Sequence, residues 1–116
     1  MDLVLDGLDL FLADAGTHLI RKIVPGKEVT TLALLDTLNT PHGIAIDENK
    51  NIYIADMGTH RILKIDKSGR FKTIAGTGQM GTKLEELNKP AALLVHEGNL
   101  WIADLNNHQI KVLSIK

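Results

Sequence analysis

The sequence predicts an all-β chain built from β-propeller blades, with about three antiparallel blades of four strands each. The first observation is a motif that occurs three times, at residues 13–23, 55–65 and 103–113. Each copy is an apolar strand ending in Ala-Asp, followed by a tight turn, a His and a second apolar strand. The second observation is that the copies lie about 42 and 48 residues apart. Repeats of this length are typical of propeller blades.

Short apolar runs separated by turn residues define the strands of each repeat. Blade 1 is expected at about 1–38, blade 2 at about 41–78 and blade 3 at about 91–116, with a loop at 76–90. We expect four, four and three strands in these blades, so that the last blade lacks its outer strand. The chain is therefore interpreted as a single partial propeller over 1–116. The unpaired edge of blade 3 would be a site where a partner adds a strand.

The composition argues against several classes of function. Thirteen basic and 14 acidic residues give a net charge of −1, and nucleic-acid-binding proteins usually show a basic excess instead. The lack of cysteine excludes disulfides and thiolate metal sites. No apolar run approaches the roughly 18 residues of a membrane-spanning helix, and the acidic start of the chain lacks the basic region of a signal peptide. We therefore expect a cytoplasmic protein with no membrane contact.

The repeated motif requires the chain to reverse within two or three residues. The residues expected to supply positive φ angles at these reversals are Gly16, Gly58, Asn106 and Asn107. The Asp carboxylates are expected to accept hydrogen bonds from amides of the same turn, and each His lies within reach of that turn. The six motif residues are Asp14, His18, Asp56, His60, Asp104 and His108.

An Asp and a His four residues apart also resemble part of a catalytic dyad. A catalytic site is normally built once, whereas this pair occurs in every repeat, so we interpret the six residues as a structural turn motif and assign no catalytic residue. A zinc site shared by the three histidines is also rejected. Rotation around a propeller would hold them too far apart for one ion bound at about 2 Å from each ligand.

Two further features have structural interpretations. Phe11, Tyr53 and Trp101 each stand two residues before Ala-Asp, and we expect them to pack between neighbouring blades instead of forming a ligand cage. The glycine-rich run at 76–81 lacks the strand and helix context of a phosphate-binding loop. It is followed by Thr82–Glu85, which fits a helix capping box.

Repeat two resembles the NHL repeat of β-propellers. The resemblance is carried by Pro41–Asp47, Ile52–Asp56 and His60–Ile62. Repeat three keeps the proline at Pro90 but has Ala-Ala where repeat two has His-Gly. The segment 71–78 and the last blade are similar to the C-terminal propeller of thioredoxin-domain proteins that carry NHL repeats. The resemblance implies a ring of about six blades.

This resemblance implies a non-catalytic scaffold that binds proteins, and we assign no cofactor. Self-association is expected because an open arc of about three blades would leave the apolar faces of its first and last blades bare. We expect either a dimer that completes a six-bladed ring or the remainder of a larger propeller. An RNA-binding surface is an alternative, and so is a chain that has no independent function. Another alternative is a metal-dependent lyase, in which a His of the Pro-His-Gly type holds a metal in the central channel. The candidate binding residues are His42, Arg61, Lys67 and Arg70, and the other loop cations considered are Lys50 and Lys83. Only His42 matches the lyase position, so it is a weak metal candidate and no metal is assigned.

Overall fold

The computed structural model describes residues 2–7, 9–33, 38–76 and 86–115, and these form three antiparallel sheets. The capping box at Thr82–Glu85 and nearly all of the glycine-rich run lie outside the described residues. Among the residues that are described, no helix is both long and apolar enough to cross a membrane.

Each sheet is an up-and-down meander in which consecutive strands are hydrogen-bonded neighbours. Blade 1 contains β1 (Asp2–Asp6), β2 (Asp9–Asp14), β3 (Leu19–Ile23) and β4 (Thr30–Ala33). Blade 2 contains β5 (Pro41–Ile46), β6 (Ile52–Asp56), β7 (Arg61–Ile65) and β8 (Phe71–Ala75). Blade 3 contains β9 (Pro90–His96), β10 (Asn99–Asp104) and β11 (Gln109–Ser114). In the described part of the chain the strand numbers are thus the expected four, four and three.

The core lies in two layers between the blades. In the first layer, Phe11, Ala13 and Ile20 of blade 1 pack with Ile44 and Ile54 of blade 2. In the second layer, the other face of blade 2 packs against blade 3. The buried residues of this second layer are Tyr53, Ala55, Ile62, Ala75, Leu87, Leu100 and Ile102. Blade 2 is therefore covered on both faces, which explains why all five residues of β6 are buried.

The innermost strands β1, β5 and β9 lie side by side where the blades converge. The Asp2 carboxylate accepts the Ile44 N–H at 3.1 Å and so links blade 1 to blade 2. Blades 2 and 3 approach closely at Gly43, where a Cβ atom would lie only 2.8 Å from the Ala91 carbonyl oxygen. A side chain at this position would therefore force the two innermost strands apart.

Candidate functional site

The histidine of each repeated motif adopts a left-handed backbone conformation. In blades 2 and 3 the turn is a short 3-10 helix, Met57–Thr59 or Leu105–Asn107. The residue that follows each turn is the motif histidine, and φ is 59°, 56° and 53° at His18, His60 and His108. The prediction of positive φ at Gly16, Gly58, Asn106 and Asn107 is wrong. The reversal into the next strand occurs one or two residues later, after the helical turn has ended.

Close approach of two backbones, and not a positive φ, accounts for the glycine at position 58. A Cβ atom there would lie 2.3 Å from the Asn39 carbonyl oxygen. The Gly58 N–H donates to that same oxygen at 2.7 Å. In blade 3 the Asn106 N–H donates to the Asn88 carbonyl oxygen at 3.0 Å. The turn therefore binds the chain that leads into its own blade.

That incoming chain has the same sequence pattern in both blades. We call Leu38–Pro41 and Leu87–Pro90 the lead-in segments; both read Leu-Asn-x-Pro. Their leucines are buried in the first and second interblade layers. The third residue has a positive φ in both segments, 62° at Thr40 and 55° at Lys89. The repeated tetrapeptide is visible in the sequence, but its asparagine and leucine were missed because only the proline belongs to the resemblance.

The aspartates of blades 2 and 3 bind the backbone of the lead-in segment of their own blade. Asp56 accepts the Asn39 N–H, with Oδ1 at 2.9 Å and Oδ2 at 3.2 Å. Asp104 accepts the Asn88 N–H at 2.8 Å. Both aspartates are completely buried. In blades 2 and 3 the expected amide donors of the turn itself are thus replaced by donors 17 and 16 residues earlier in the chain, whereas Asp14 of blade 1 keeps a backbone hydrogen bond from Gly16 of its own turn.

The histidines bind the lead-in segment of the following blade. Nδ1 of His18 in blade 1 accepts the Thr40 N–H at 2.9 Å. Nδ1 of His60 in blade 2 accepts the Lys89 N–H at 3.0 Å. Acceptance at Nδ1 requires the neutral tautomer with its proton on Nε2. Asp56 and His60 therefore contact different lead-in segments, and they form no dyad with each other.

A basic side chain from the third strand accompanies each aspartate. Arg21 Nε lies 3.1 Å from Asp14, Arg61 Nη2 lies 3.9 Å from Asp56, and Lys111 Nζ lies 2.9 Å from Asp104. These cations offset the cost of burying a carboxylate. The three pairs were not predicted, although a basic residue in the second strand of each motif copy is a visible signal.

The ionisation of the aspartates differs between the first two blades. Burial raises the pKa of the Asp56 carboxyl, although hydrogen bonds from Thr59 and Asn39 and the Arg61 charge oppose that rise. The pKa of Asp14 is lowered, chiefly by the hydrogen bond from the Thr17 hydroxyl; burial opposes this, but Arg21 and the Gly16 backbone N–H also favour the ionised carboxylate. The partly exposed Asp14 thus favours its ionised form, whereas the enclosed Asp56 carries a desolvation cost.

The structure does not bring the four candidate binding residues together. Arg61 is tied to the motif, because its Nε donates to Thr59 Oγ1 at 3.0 Å. Nδ1 of His42 lies 2.9 Å from the Ala91 carbonyl oxygen and links two innermost strands. Lys67 and Arg70 are exposed in the turn after β7, at the opposite end of that strand from Arg61.

The remaining cation candidates do not form a binding surface either. Lys50 pairs with Asp6, so that the hairpins of blades 1 and 2 are joined, and Lys83 lies outside the described residues. Within the described ranges, no cluster of three or more His, Cys, Asp or Glu side chains could hold a metal ion. The candidate binding residues in the described part of the chain therefore do not converge on one site.

Apolar residues are exposed on the two outer blade faces. On blade 1, Leu3 and Leu5 have exposed fractions of 55% and 65%. Blade 3 has a larger set, which we call the free face of blade 3: Leu94, Trp101, Ile110 and Val112, with exposed fractions of 61%, 39%, 66% and 41%. His108 lies beside Ile110 at the start of β11 and is exposed. These two faces are the candidate functional surfaces.

The comparisons with known proteins agree with this architecture. Residues 38–65 match the NHL repeat. The search of curated proteins found no significant match. Solved structures with similar folds include a streptogramin B lyase, with a TM-score of 0.79 and 21% identity over 98% of this chain. A second similar structure is the nidogen/laminin complex, with a TM-score of 0.77 and 22% identity over 97% of this chain. A third is an auxiliary nutrient binding protein from Bacteroides ovatus, with a TM-score of 0.77 and 16% identity over 98%.

The matched part of each structure is only a portion of it. This chain spans 37%, 42% and 37% of the three structures, respectively. Identities at this level establish the fold and not the activity. The NHL repeat in blade 2, the three antiparallel sheets and the interblade contacts lead to one conclusion: this chain is a partial β-propeller that carries an NHL repeat.

Proposed function

We propose that the chain is a non-catalytic scaffold module that associates with a second copy of itself through its two outer blade faces. The outer face of blade 3 in one copy would meet the outer face of blade 1 in the other. Two such junctions would complete a ring of about six blades. The assembled ring would then present its loops to protein partners.

The observation that supports this proposal is that the outer faces have the composition of faces that meet inside the chain. Leu3 and Leu5 of β1 are paired with Leu12 and Leu10 of β2. At the same positions of blade 3, Leu93 and Val95 are paired with Ile102 and Leu100. That set of blade 3 packs against blade 2 in the second interblade layer. The outer face of blade 1 is therefore equivalent to a surface that already binds a blade.

The partner surface on blade 3 is equivalent in the same way. Trp101 and Ile110 occupy the positions of Tyr53 and Ile62, both completely buried against blade 3. Trp101 itself has an exposed fraction of 39%. Contiguous apolar patches above a few hundred Å² are uncommon on monomeric proteins and mark interaction surfaces.

The enzymatic alternative receives less support. The lyase among the similar structures suggests chemistry at a central channel, but the position of His42 in blade 2 is occupied by Ala91 in blade 3. His42 itself contacts the Ala91 carbonyl oxygen. The RNA-binding alternative also receives less support, because two of its candidate cations in the described part of the chain are engaged elsewhere: Lys50 pairs with Asp6 of blade 1, and Arg61 donates to Thr59 of its own blade.

The proposal is tested by the mass of the 12.7 kDa chain in solution. Light scattering over a range of concentrations is expected to show a transition from monomer to dimer. Trp101→Lys places a charge in the free face of blade 3 and should leave the chain monomeric. Phe71→Lys is the matched control, since Phe71 is 53% exposed but lies on an outer strand, and it should dimerise normally. A wild-type chain that stays monomeric at every concentration would refute self-association.

A further inference from the structure

We propose that the free face of blade 3, together with His108, is a binding site for a lead-in segment of sequence Leu-Asn-x-Pro. The ligand would be the tetrapeptide that runs directly into the first strand of an incoming propeller blade. This inference rests on the proposed association through the same face. It adds which sequence the partner must carry and which atoms recognise it.

Two occupied copies of this site exist inside the chain. The blade 1 site uses His18 for the Thr40 N–H at 2.9 Å, and Leu38 packs in the layer of Phe11, Ala13 and Ile20. The blade 2 site uses His60 for the Lys89 N–H at 3.0 Å. There the buried leucine is Leu87, in the layer that contains Tyr53, Ala55 and Ile62. The same four elements, one His and three apolar residues, thus bind the segment twice.

Blade 3 repeats these elements at equivalent positions. His108 follows its turn as His60 does, with φ of 53° against 56°. Trp101, Ala103 and Ile110 correspond to the three apolar residues of blade 2, and Ala103 and Ile110 face each other in the β10–β11 register. Ile110 is 66% exposed. Among the described residues, no hydrogen bond reaches the His108 imidazole, so its Nδ1 can accept an amide.

The recognition chemistry determines which residues of the segment matter. The leucine would pack on the apolar surface around Ile110. The third residue would contribute only its backbone N–H, since Thr and Lys both occur at that position. The backbone N–H of the asparagine would donate to the aspartate of the incoming blade, as the Asn39 N–H donates to Asp56. In a second copy that aspartate is Asp14, which is 17% exposed and pairs with Arg21.

The alignment of the repeats determines where the lead-in segment lies relative to blade 1. Repeat three aligns with repeat one without a gap, so that Leu93 corresponds to Leu3 and Asp104 to Asp14. The positions equivalent to Leu87–Pro90 would then directly precede Met1. Fusing Leu-Asn-Lys-Pro before Met1 therefore supplies the proposed ligand in register and leaves every residue of the 116-residue chain unchanged.

The test compares self-association of the 116-residue chain with that of the extended chain. Trp101 is the only tryptophan, so a concentration-dependent blue shift of its emission reports burial of this particular face. Sedimentation equilibrium gives the dissociation constant. At each of the two junctions of the dimer, burying one leucine and gaining one amide hydrogen bond are expected to strengthen binding by about tenfold to a hundredfold, so the dissociation constant of the dimer should fall by about a hundredfold to ten-thousandfold. In the extended chain, His108→Ala should remove about fivefold of that gain at each junction, and Ile110→Ser should remove most of the rest.

A Gly-Ser-Gly-Ser extension is the matched control and should behave as the unextended chain. Circular dichroism verifies that each extended chain is folded. Equal dissociation constants and equal Trp101 emission for the two extensions would overturn the proposed binding site. If both extended chains and the original chain associate equally, the result supports self-association and refutes recognition of the lead-in segment. If only the Leu-Asn-Lys-Pro chain associates, the result supports the binding site on the free face of blade 3 and refutes self-association of the unextended chain.

Discussion

His18 of blade 1 accepts the backbone N–H of Thr40 at 2.9 Å, across the boundary to blade 2. The preceding amide, that of Asn39, donates to Asp56 of blade 2. Two neighbouring amides of one lead-in segment are thus bound by side chains from two different blades. Separating the blades would leave polar groups without partners, so the contact fixes each blade relative to the next.

The histidine contacts should differ in energy according to whether the next blade is present. His60→Ala removes the acceptor of the Lys89 N–H and is expected to lower the free energy of unfolding by about 1 kcal/mol. His108→Ala makes the same chemical change at an exposed site and should have almost no effect on the monomer. Urea unfolding of both variants measures the difference. Equal losses would show that the histidine stabilises its own turn instead of the following blade.

Asp56 should tolerate an amide better than a methyl group. Asp56→Ala leaves the Asn39 N–H without an acceptor and Arg61 without its nearby carboxylate, for an expected loss of about 2–4 kcal/mol. Asp56→Asn keeps an acceptor and removes a charge whose burial raises the pKa of the carboxyl, so we expect a loss of less than about half of that. Thermal and urea unfolding at neutral pH measure both. A larger loss for Asn than for Ala would contradict this account.

Gly43 is expected to be needed for the approach of blades 2 and 3. In Gly43→Ala the new Cβ would lie 2.8 Å from the Ala91 carbonyl oxygen and 3.0 Å from the Ala92 Cα. Because both neighbours are backbone atoms, strands must shift, at a cost of about 1–3 kcal/mol. Gly16→Ala is the control, since its nearest contact is an ordinary 3.6 Å. Similar unfolding midpoints for the two variants would argue against close packing of β5 and β9.

Stability should fall in acid through Asp47. Burial alone would raise its pKa, but hydrogen bonds from Asn51, Tyr53 and Asn49 outweigh burial and lower the pKa below its usual range. A lowered pKa means that the ionised carboxylate stabilises the folded state above about pH 4 and that this contribution is lost as the pH falls through the lowered pKa. Asp47→Asn should therefore cost about 1–2 kcal/mol at pH 7 and much less at low pH. Urea unfolding across this range measures the gap, and a gap that widens in acid would contradict the prediction.

The propeller architecture could be predicted from the sequence because the repeat itself carries it. Ala55-Asp56 and its two equivalents recur with blade spacing, and each apolar run between turn residues became a strand. The pairing partners of Asp56 and His60 could not be predicted. Both bind backbone amides of segments that are distant along the chain. Because every residue except proline has a backbone N–H, the sequence does not show which amide is the donor.

The residues that adopt positive φ in the turn could not be predicted from the sequence pattern either. Gly58 suggested a positive φ, but the glycine is required by contact with Asn39, and His60 takes the left-handed conformation instead. From the sequence, Arg61 is a candidate for binding because it is expected among the exposed cations of the loops. Its guanidinium is committed to Thr59 and Asp56, which only the fold determines.

Amide hydrogen exchange tests most directly the central claim, that a histidine of one blade holds the backbone leading into the next. In the wild-type chain the amides of Thr40 and Lys89 should be protected, although Lys89 is an exposed residue. His18→Ala should release the Thr40 amide and leave the Lys89 amide protected, and His60→Ala should do the reverse. Rapid exchange of both amides in the wild type, or no selective change in the variants, would contradict the account.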